Sequence, residues 1–177
     1  MSDRWLPPDQ DPREQGPTRG EKGTVLQYLR NHRTTIAMKC EGLDPEQLAR
    51  RSVPPSGLSL LGLLRHLAQV DHHWSRRVCQ GRFDEPQLYK TPEDWDGDFT
   101  GAVADPAVVA EAWETWQRES TAADEWWTSD DWGRLLGAPD GEQYEVRDVV
   151  VHVLEEHARH VGHADLLREC VDGRTGE

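Results

Sequence analysis

The sequence lacks any apolar run near the roughly 20 residues that a membrane-spanning helix needs, and its N-terminal segment has no apolar stretch of the kind that secretory signals contain. Basic residues are scarce, because 20 Lys and Arg stand against 33 Asp and Glu, for a formal net charge of −13. This deficit argues against a nucleic-acid surface and against a polybasic membrane patch. Only three cysteines are present, without metal-type spacing, so we expect free thiols in the cytoplasm.

Helical periodicity dominates what remains, in a chain of 177 residues that favours one domain. The apolar spacing predicts four long helices and one short helix, over residues 24–40, 45–51, 58–80, 106–128 and 146–171. The pair Asp140-Gly141 predicts a short β-hairpin before the last helix. The predicted fold class is therefore all-α, a four-helix bundle with long loops.

Two segments outside the helices carry separate expectations. Residues 1–20 are rich in proline and charge, which predicts a flexible N-terminal arm before a single domain over residues 21–177. The alternative is an arm anchored on the domain by Trp5 and Leu6. Residues 82–104 predict a long loop that is able to cover a substrate with its aromatic side chains, and the acidic residues at 93–98 are interpreted as solvated.

The last helix concentrates polar residues that carry chemistry, since four of the eight histidines lie within residues 152–163. Side chains four residues apart on a helix differ by only about 40° in direction. One such stripe holds His152, Glu156, His160 and His163. Because the apolar Val149 and Leu167 lie on the same stripe, we predict that it is the buried face of the helix. His157 falls on a different face.

The second long helix offers a partner for this stripe. His66 lies on its inward face, and Gly62 leaves space one turn earlier. His73 follows two turns later, either as a residue that supports a ligand or as a pocket wall, and His72 is expected to be more exposed.

A carboxylate and an imidazole at positions i and i+4 can reach one ion from a single helix. We therefore predict a metal site made of His66, Glu156 and His160, with His152 as the alternative third ligand. Two histidines, one carboxylate and open positions suit catalytic zinc, or iron or nickel. Without an ion, Glu156 would pair with Arg159 and the histidines would be hydrogen-bonded core residues.

Residues 60–68 followed by Trp74, together with residues 156–169, resemble the DinB-like superfamily. The resemblance covers nearly the whole chain after about residue 20 and is closest to the branch of small proteins related to mycothiol-dependent maleylpyruvate isomerase. It implies a four-helix bundle, a divalent metal at one end, and frequent dimers. Many members bind the metal with three histidines, of which His66 and His160 match the first and last. Glu156 replaces the middle one, as in the isomerase's set of His, Glu and His.

Site and resemblance together favour a metal-dependent enzyme that transfers a low-molecular-weight thiol, such as mycothiol, to a small electrophile, or an isomerase-like activity. His73 and His163 are the candidates for proton transfer, although packing is the simpler interpretation of His163. The isomerase has an additional C-terminal domain, so we do not transfer its isomerase substrate to this chain. The alternatives are a metal-dependent hydrolase of a small substrate and a non-catalytic, metal-binding dimeric bundle. These three hypotheses imply a small-molecule substrate or a second copy of the chain as the partner. None of them implies binding to nucleic acid or to a membrane.

Overall fold

The computed structural model describes residues 5–7, 9–13, 16–137 and 143–176, and most of this part of the chain is helical. Its elements, in chain order, are α1 (Gly20–Cys40), α2 (Pro45–Ala49), α3 (Leu60–Asp71), a π-helical segment (His72–Cys79), α4 (Gly97–Thr100), α5 (Pro106–Ser129), β1 (Leu135–Gly137), β2 (Gln143–Glu145) and α6 (Val146–Asp172). The predicted all-α fold is confirmed.

Local signals in the sequence set the ends of the bundle helices. Asp105 accepts a hydrogen bond from the backbone N–H of Ala107 at 2.8 Å, and Pro106 occupies the first turn of α5. Ser59 caps α3 in the same way, through the N–H of Gly62 at 3.1 Å. Gly173 ends α6 with a φ of 79°, which glycine adopts without steric cost.

The hairpin forms between α5 and α6, as expected. Strands β1 and β2 pair antiparallel, with Leu136 opposite Tyr144. The predicted turn pair, Asp140-Gly141, lies outside the described residues.

The core is arranged so that α1 packs against α6 and α3 packs against α5. The buried face of α6 runs through Val153, His157, His160, Ala164 and Leu167. The prediction that His157 lies on a different face was wrong, because His157 is fully buried. Glu156 and His163, which were predicted to lie on the buried face, are only partly buried. The Nδ1 of His157 lies 3.0 Å from the carbonyl oxygen of Val153, and burial lowers the pKa of His157 to about 4.

The expectation that His72 is exposed was wrong. Its ring is 6% exposed, with Nδ1 3.3 Å from Glu119 Oε2 and Nε2 3.0 Å from the carbonyl oxygen of Pro86. Glu119 of α5 and Pro86 of the long loop thus both contact this ring. Neither contact can be predicted from the apolar spacing of the helix that carries His72.

Trp5 is the packed part of the N-terminal segment, with a relative exposure of 6%. Its ring lies 4.1 Å from Lys39 Nζ and 3.5 Å from the guanidinium carbon of Arg174. These cation–π distances match the alternative in which Trp5 anchors the arm. The boundary between arm and domain stays a prediction.

The three cysteines are free thiols in different settings. Burial raises the pKa of Cys40 to about 12 and that of Cys79 to about 11, whereas Cys170 is exposed. Cys79 is packed in the core beside Trp127 and Val149.

In the described part of the chain, none of the helices has the length and apolar character required to cross a bilayer.

Candidate metal centre

Three polar side chains meet between α3 and α6. His66 comes from α3, and Glu156 and His160 come from successive turns of α6. One donor atom from each lies within 4.8 Å of the others. Glu156 Oε2 is 3.7 Å from His66 Nε2 and 3.5 Å from His160 Nε2, which is longer than the roughly 2.7–3.2 Å of an ordinary hydrogen bond. The three predicted ligands are thus adjacent without bonding directly to one another through these atoms.

His66 is oriented by a loop more than thirty residues away. Its Nδ1 lies 2.8 Å from the carboxylate of Asp98, and its ring stacks on Phe99 with a centroid separation of 5.0 Å. The hydrogen bond to Asp98 at Nδ1 fixes the orientation of the ring, with Nε2 facing Glu156. A Cβ at Gly62 would stand only 2.9 Å from the Phe99 ring, so the space that this glycine leaves is filled by Phe99.

Asp98 is itself buried, with no exposed side-chain surface. Burial acts to raise its pKa, but the hydrogen bond to His66 and the charges of His66 and Lys90 outweigh burial, and the pKa lies below its ordinary value. Asp98 is therefore ionised at neutral pH. The expectation that residues 93–98 are simply solvated was wrong for this carboxylate.

The long loop, with the short helix α4 that carries Asp98, is held by side chains of α3 that bond to its backbone. Arg65 donates from Nε to the carbonyl oxygen of Asp98 at 3.0 Å and from Nη2 to that of Gly97 at 3.1 Å. Gln69 accepts from the backbone N–H groups of Leu88 and Tyr89 at 2.8 and 3.2 Å. Because Arg65 and Gln69 flank His66 on α3, one helix holds both the ligand and the loop that orients it.

The second histidine is oriented from its own helix. His160 Nδ1 lies 3.2 Å from His163 Nδ1, one turn later. Burial, aided by the nearby charge of His66, lowers the pKa of His160 to about 4. His160 is therefore neutral at pH 7, with its Nε2 directed toward Glu156.

Glu156 uses its two oxygens differently. Oε1 accepts a hydrogen bond from Arg159 Nη1 at 2.9 Å, while Oε2 faces the two histidines. The pair with Arg159 was the expected arrangement in the absence of an ion. It forms here through one oxygen only, which leaves the other oxygen directed into the cluster.

The donor set fits a divalent metal. Donor atoms about 2.0–2.2 Å from a tetrahedral zinc ion are roughly 3.3 Å apart; the two pairs at Glu156 are separated by 3.5 and 3.7 Å, and all three donor atoms lie within 4.8 Å of one another. Three protein donors would leave a coordination position of a bound ion open.

A cavity of about 300 Å³ opens beside this cluster, and we call it the metal-side cavity. Polar side chains line much of it, including Gln69, Gln87 and Lys90, with Trp95 from the long loop. His73 and His152 also line it. His152 is not in the three-residue cluster and instead lies against the Trp74 ring at a centroid distance of 4.8 Å.

His73 faces Gln87, whose Nε2 is 3.4 Å from His73 Nδ1. Burial and the charge of Arg77 lower the pKa of His73, so its imidazole is neutral at pH 7 and is able to accept a proton.

Sequence reasoning missed Asp98, Gln87 and Lys90 as parts of the site. The long loop was recognised as functional, but its acidic composition resembles that of any solvated segment. The spacing of apolar residues cannot identify a buried carboxylate in such a loop, because tertiary packing determines which residue it contacts.

A family model described as mycothiol-S-transferase matches residues 24–173. The chain belongs to that family. Membership of the mycothiol-S-transferase family confirms the resemblance to the DinB-like superfamily seen in the sequence. No curated protein matches the chain.

A solved structure, the crystal structure of the mycothiol-dependent maleylpyruvate isomerase, is similar in fold, with a TM-score of 0.55 and 11% sequence identity. The similarity covers 81% of this chain and 60% of the isomerase chain, so this mycothiol-S-transferase family member spans about three fifths of that structure. At such low identity the likeness supports the bundle fold alone.

Proposed function

We propose that this protein is a divalent-metal-dependent transferase that joins a low-molecular-weight thiol of the mycothiol type to a small electrophile. The observation that carries the metal part is the convergence of His66, Glu156 and His160 within 4.8 Å beside a cavity. Membership of the mycothiol-S-transferase family supports the thiol part.

The reaction forms one bond between the thiol sulfur and an electrophilic carbon. The bond that breaks is either to a leaving group or within an opened ring or double bond, and the proton of the thiol ends on the atom that gains the electron pair. A bound divalent ion would lower the pKa of the thiol, so that it is present as thiolate at neutral pH.

The side chains around the centre have distinct tasks in this proposal. His66, Glu156 and His160 hold the ion, with Asp98 and His163 orienting the two imidazoles. Lys90 and Gln87 offer hydrogen-bond donors to the polar parts of the thiol. His73 is the stronger candidate for proton transfer, because it lines the cavity while His163 contacts His160.

Removing the carboxylate ligand tests the metal centre. We expect gently purified wild-type protein to bind about one equivalent of zinc, iron or nickel, and Glu156→Gln to bind less than about a tenth of that, since the amide is a weak ligand. Elemental analysis after incubation with each ion measures this. Glu155→Gln is the matched control, because Glu155 also pairs with Arg159, at 3.2 Å, but lies on the exposed side.

Equal metal content in the two glutamine variants would overturn the metal centre and favour the non-catalytic bundle.

Where metal is bound, a panel of electrophiles with the thiol and a panel of esters and amides without it separate the transferase from a hydrolase. Hydrolysis without any thiol would overturn the transferase.

Asp98 provides a second test, directed at the orientation of His66. We expect Asp98→Asn to weaken zinc affinity about 10–100-fold, because the ionised partner of a metal-ligating histidine is lost. Chelator competition measures the affinity. Asp96→Asn is the matched control, since Asp96 is exposed in the same loop. Equal affinities in the two variants would contradict the role of Asp98.

The homodimer, the cytoplasmic location and the preference for zinc over iron or nickel stay predictions. Light scattering of the purified chain tests the first of these directly.

A further inference from the structure

A second cavity, of about 480 Å³, lies next to the metal-side cavity, and we call it the apolar cavity. Its walls come from four parts of the chain that the fold brings together: the π-helical segment, the loop after it, the hairpin and α6. The apolar side chains among them are Trp74, Val78, Phe83, Leu136, Tyr144 and Val149. Its volume lies within the range of small-molecule sites.

The two cavities are neighbours that share three lining side chains. His73, Trp74 and His152 line both of them. The Trp74 ring lies edge-on between the two histidines, at centroid distances of 5.1 Å from His73 and 4.8 Å from His152. A molecule in either cavity would therefore contact these same three rings.

The chemistry of the two chambers differs. The metal-side cavity presents Lys90, two glutamines and Glu156, which suit a polar, hydroxyl-rich partner. The apolar cavity presents aromatic and aliphatic surface, and Asp148 is the one acidic side chain among the described residues that line it. Asp148 Oδ2 accepts the backbone N–H of Glu145 at 3.1 Å as part of the cap of α6, so the carboxylate is held at this wall.

We propose that the apolar cavity binds the uncharged, aromatic or branched aliphatic part of the electrophile, and that the electrophilic carbon lies at the junction formed by Trp74, His73 and His152. This inference rests on the proposed function and adds the substrate class to it. The carboxylate of Asp148 disfavours anionic groups there, because like charges at close range repel. The site thus separates a polar thiol from an apolar acceptor.

Binding of a neutral fluorophore to the metal-free protein tests the cavity without any catalysis. The probe is N-phenylnaphthylamine, titrated against the full chain in the absence of metal and thiol. We expect Tyr144→Ala and Phe83→Ala each to weaken its binding about five- to tenfold, because each removes an aromatic wall. Both residues are 40% exposed, so the substitutions leave the core intact. Tyr28→Ala is the matched control, with an exposed tyrosine on α1, and is expected to change the binding less than about twofold.

The anionic analogue anilinonaphthalenesulfonate tests the charge preference. We expect it to bind at least about tenfold more weakly than the neutral probe, and Asp148→Asn to reduce that difference. Equal binding of the neutral probe to Tyr144→Ala, Phe83→Ala and Tyr28→Ala would overturn the cavity as the apolar site. Equal affinity for the two probes would overturn the charge preference.

The two proposals fail separately. Probe binding as expected, with no thiol transfer to any electrophile, would sink the proposed function and leave the apolar site standing. Thiol transfer to naphthyl and methyl epoxides with the same KM in wild type and Tyr144→Ala would sink the apolar site and leave the transferase standing.

Discussion

Replacing Asp71 with alanine is expected to lower the free energy of unfolding by about 3–5 kcal/mol, because it leaves a buried guanidinium without its main partner. Asp71 has no exposed side-chain surface, and Arg33 donates to it from Nε at 3.1 Å and from Nη2 at 2.8 Å. Ser120 donates to the same carboxylate at 3.0 Å. Arg33 would keep its ion pair with the partly exposed Asp124, at 2.7 Å, and its position over the Trp127 ring. Urea unfolding monitored by circular dichroism measures the loss.

The matched control is an exposed ion pair. Glu21 and Arg147 are 3.1 Å apart, with half-exposed side chains, so Glu21→Ala should cost less than about 1 kcal/mol. A double replacement, Arg33→Met with Asp71→Leu, should recover much of the loss, because it removes both charges together. A cost below about 1 kcal/mol for Asp71→Ala would contradict the assignment of this pair as a structural element of the core.

Acidification is expected to destabilise the fold through His157. Its pKa in the folded protein is about 4, because burial outweighs the attraction of Asp71, whereas the unfolded chain has a pKa near 6.5. Above about pH 6.5 both states hold the neutral ring and the stability is complete. As the pH falls from about 6.5 toward about 4, His157 becomes protonated in the unfolded chain but stays neutral in the folded chain. The free energy of unfolding therefore decreases over this pH range.

The expected loss at His157 between about pH 7.5 and about pH 4.5 is about 2–3 kcal/mol. Urea unfolding of metal-free wild type and His157→Gln at both pH values measures it, since the glutamine does not titrate. The variant should lose correspondingly less stability on acidification. His32→Gln is the control, because burial also lowers the pKa of His32 but its ring is only partly buried. Identical pH dependence in wild type and His157→Gln would contradict this account.

The helices and their ends could be predicted because their signals are local. The Asp105-Pro106 pair and the glycine at 173 act on backbone groups within one turn. The i, i+4 pair of Glu156 and His160 was predictable for the same reason, since both side chains project from one helix.

The partners of those side chains could not be predicted, because they are supplied by tertiary packing. Asp98 reaches His66 across 32 positions, and Glu119 reaches His72 across 47. The buried face of α6 was misplaced because the predicted stripe was drawn through His152 and Glu156, which put His157 on another face, whereas the fold buries the His157 ring.

The burial of Cys79 has a consequence for self-modification. Its neighbour Val78 lines the apolar cavity, so an electrophile bound there would lie close to one of the protein's own thiols. With a pKa of about 11 and 3% exposure, Cys79 offers almost no thiolate at neutral pH and little access. Repeated exposure to alkylating compounds should therefore label Cys170 first and spare the core, leaving a folded chain with a single adduct on its outer surface.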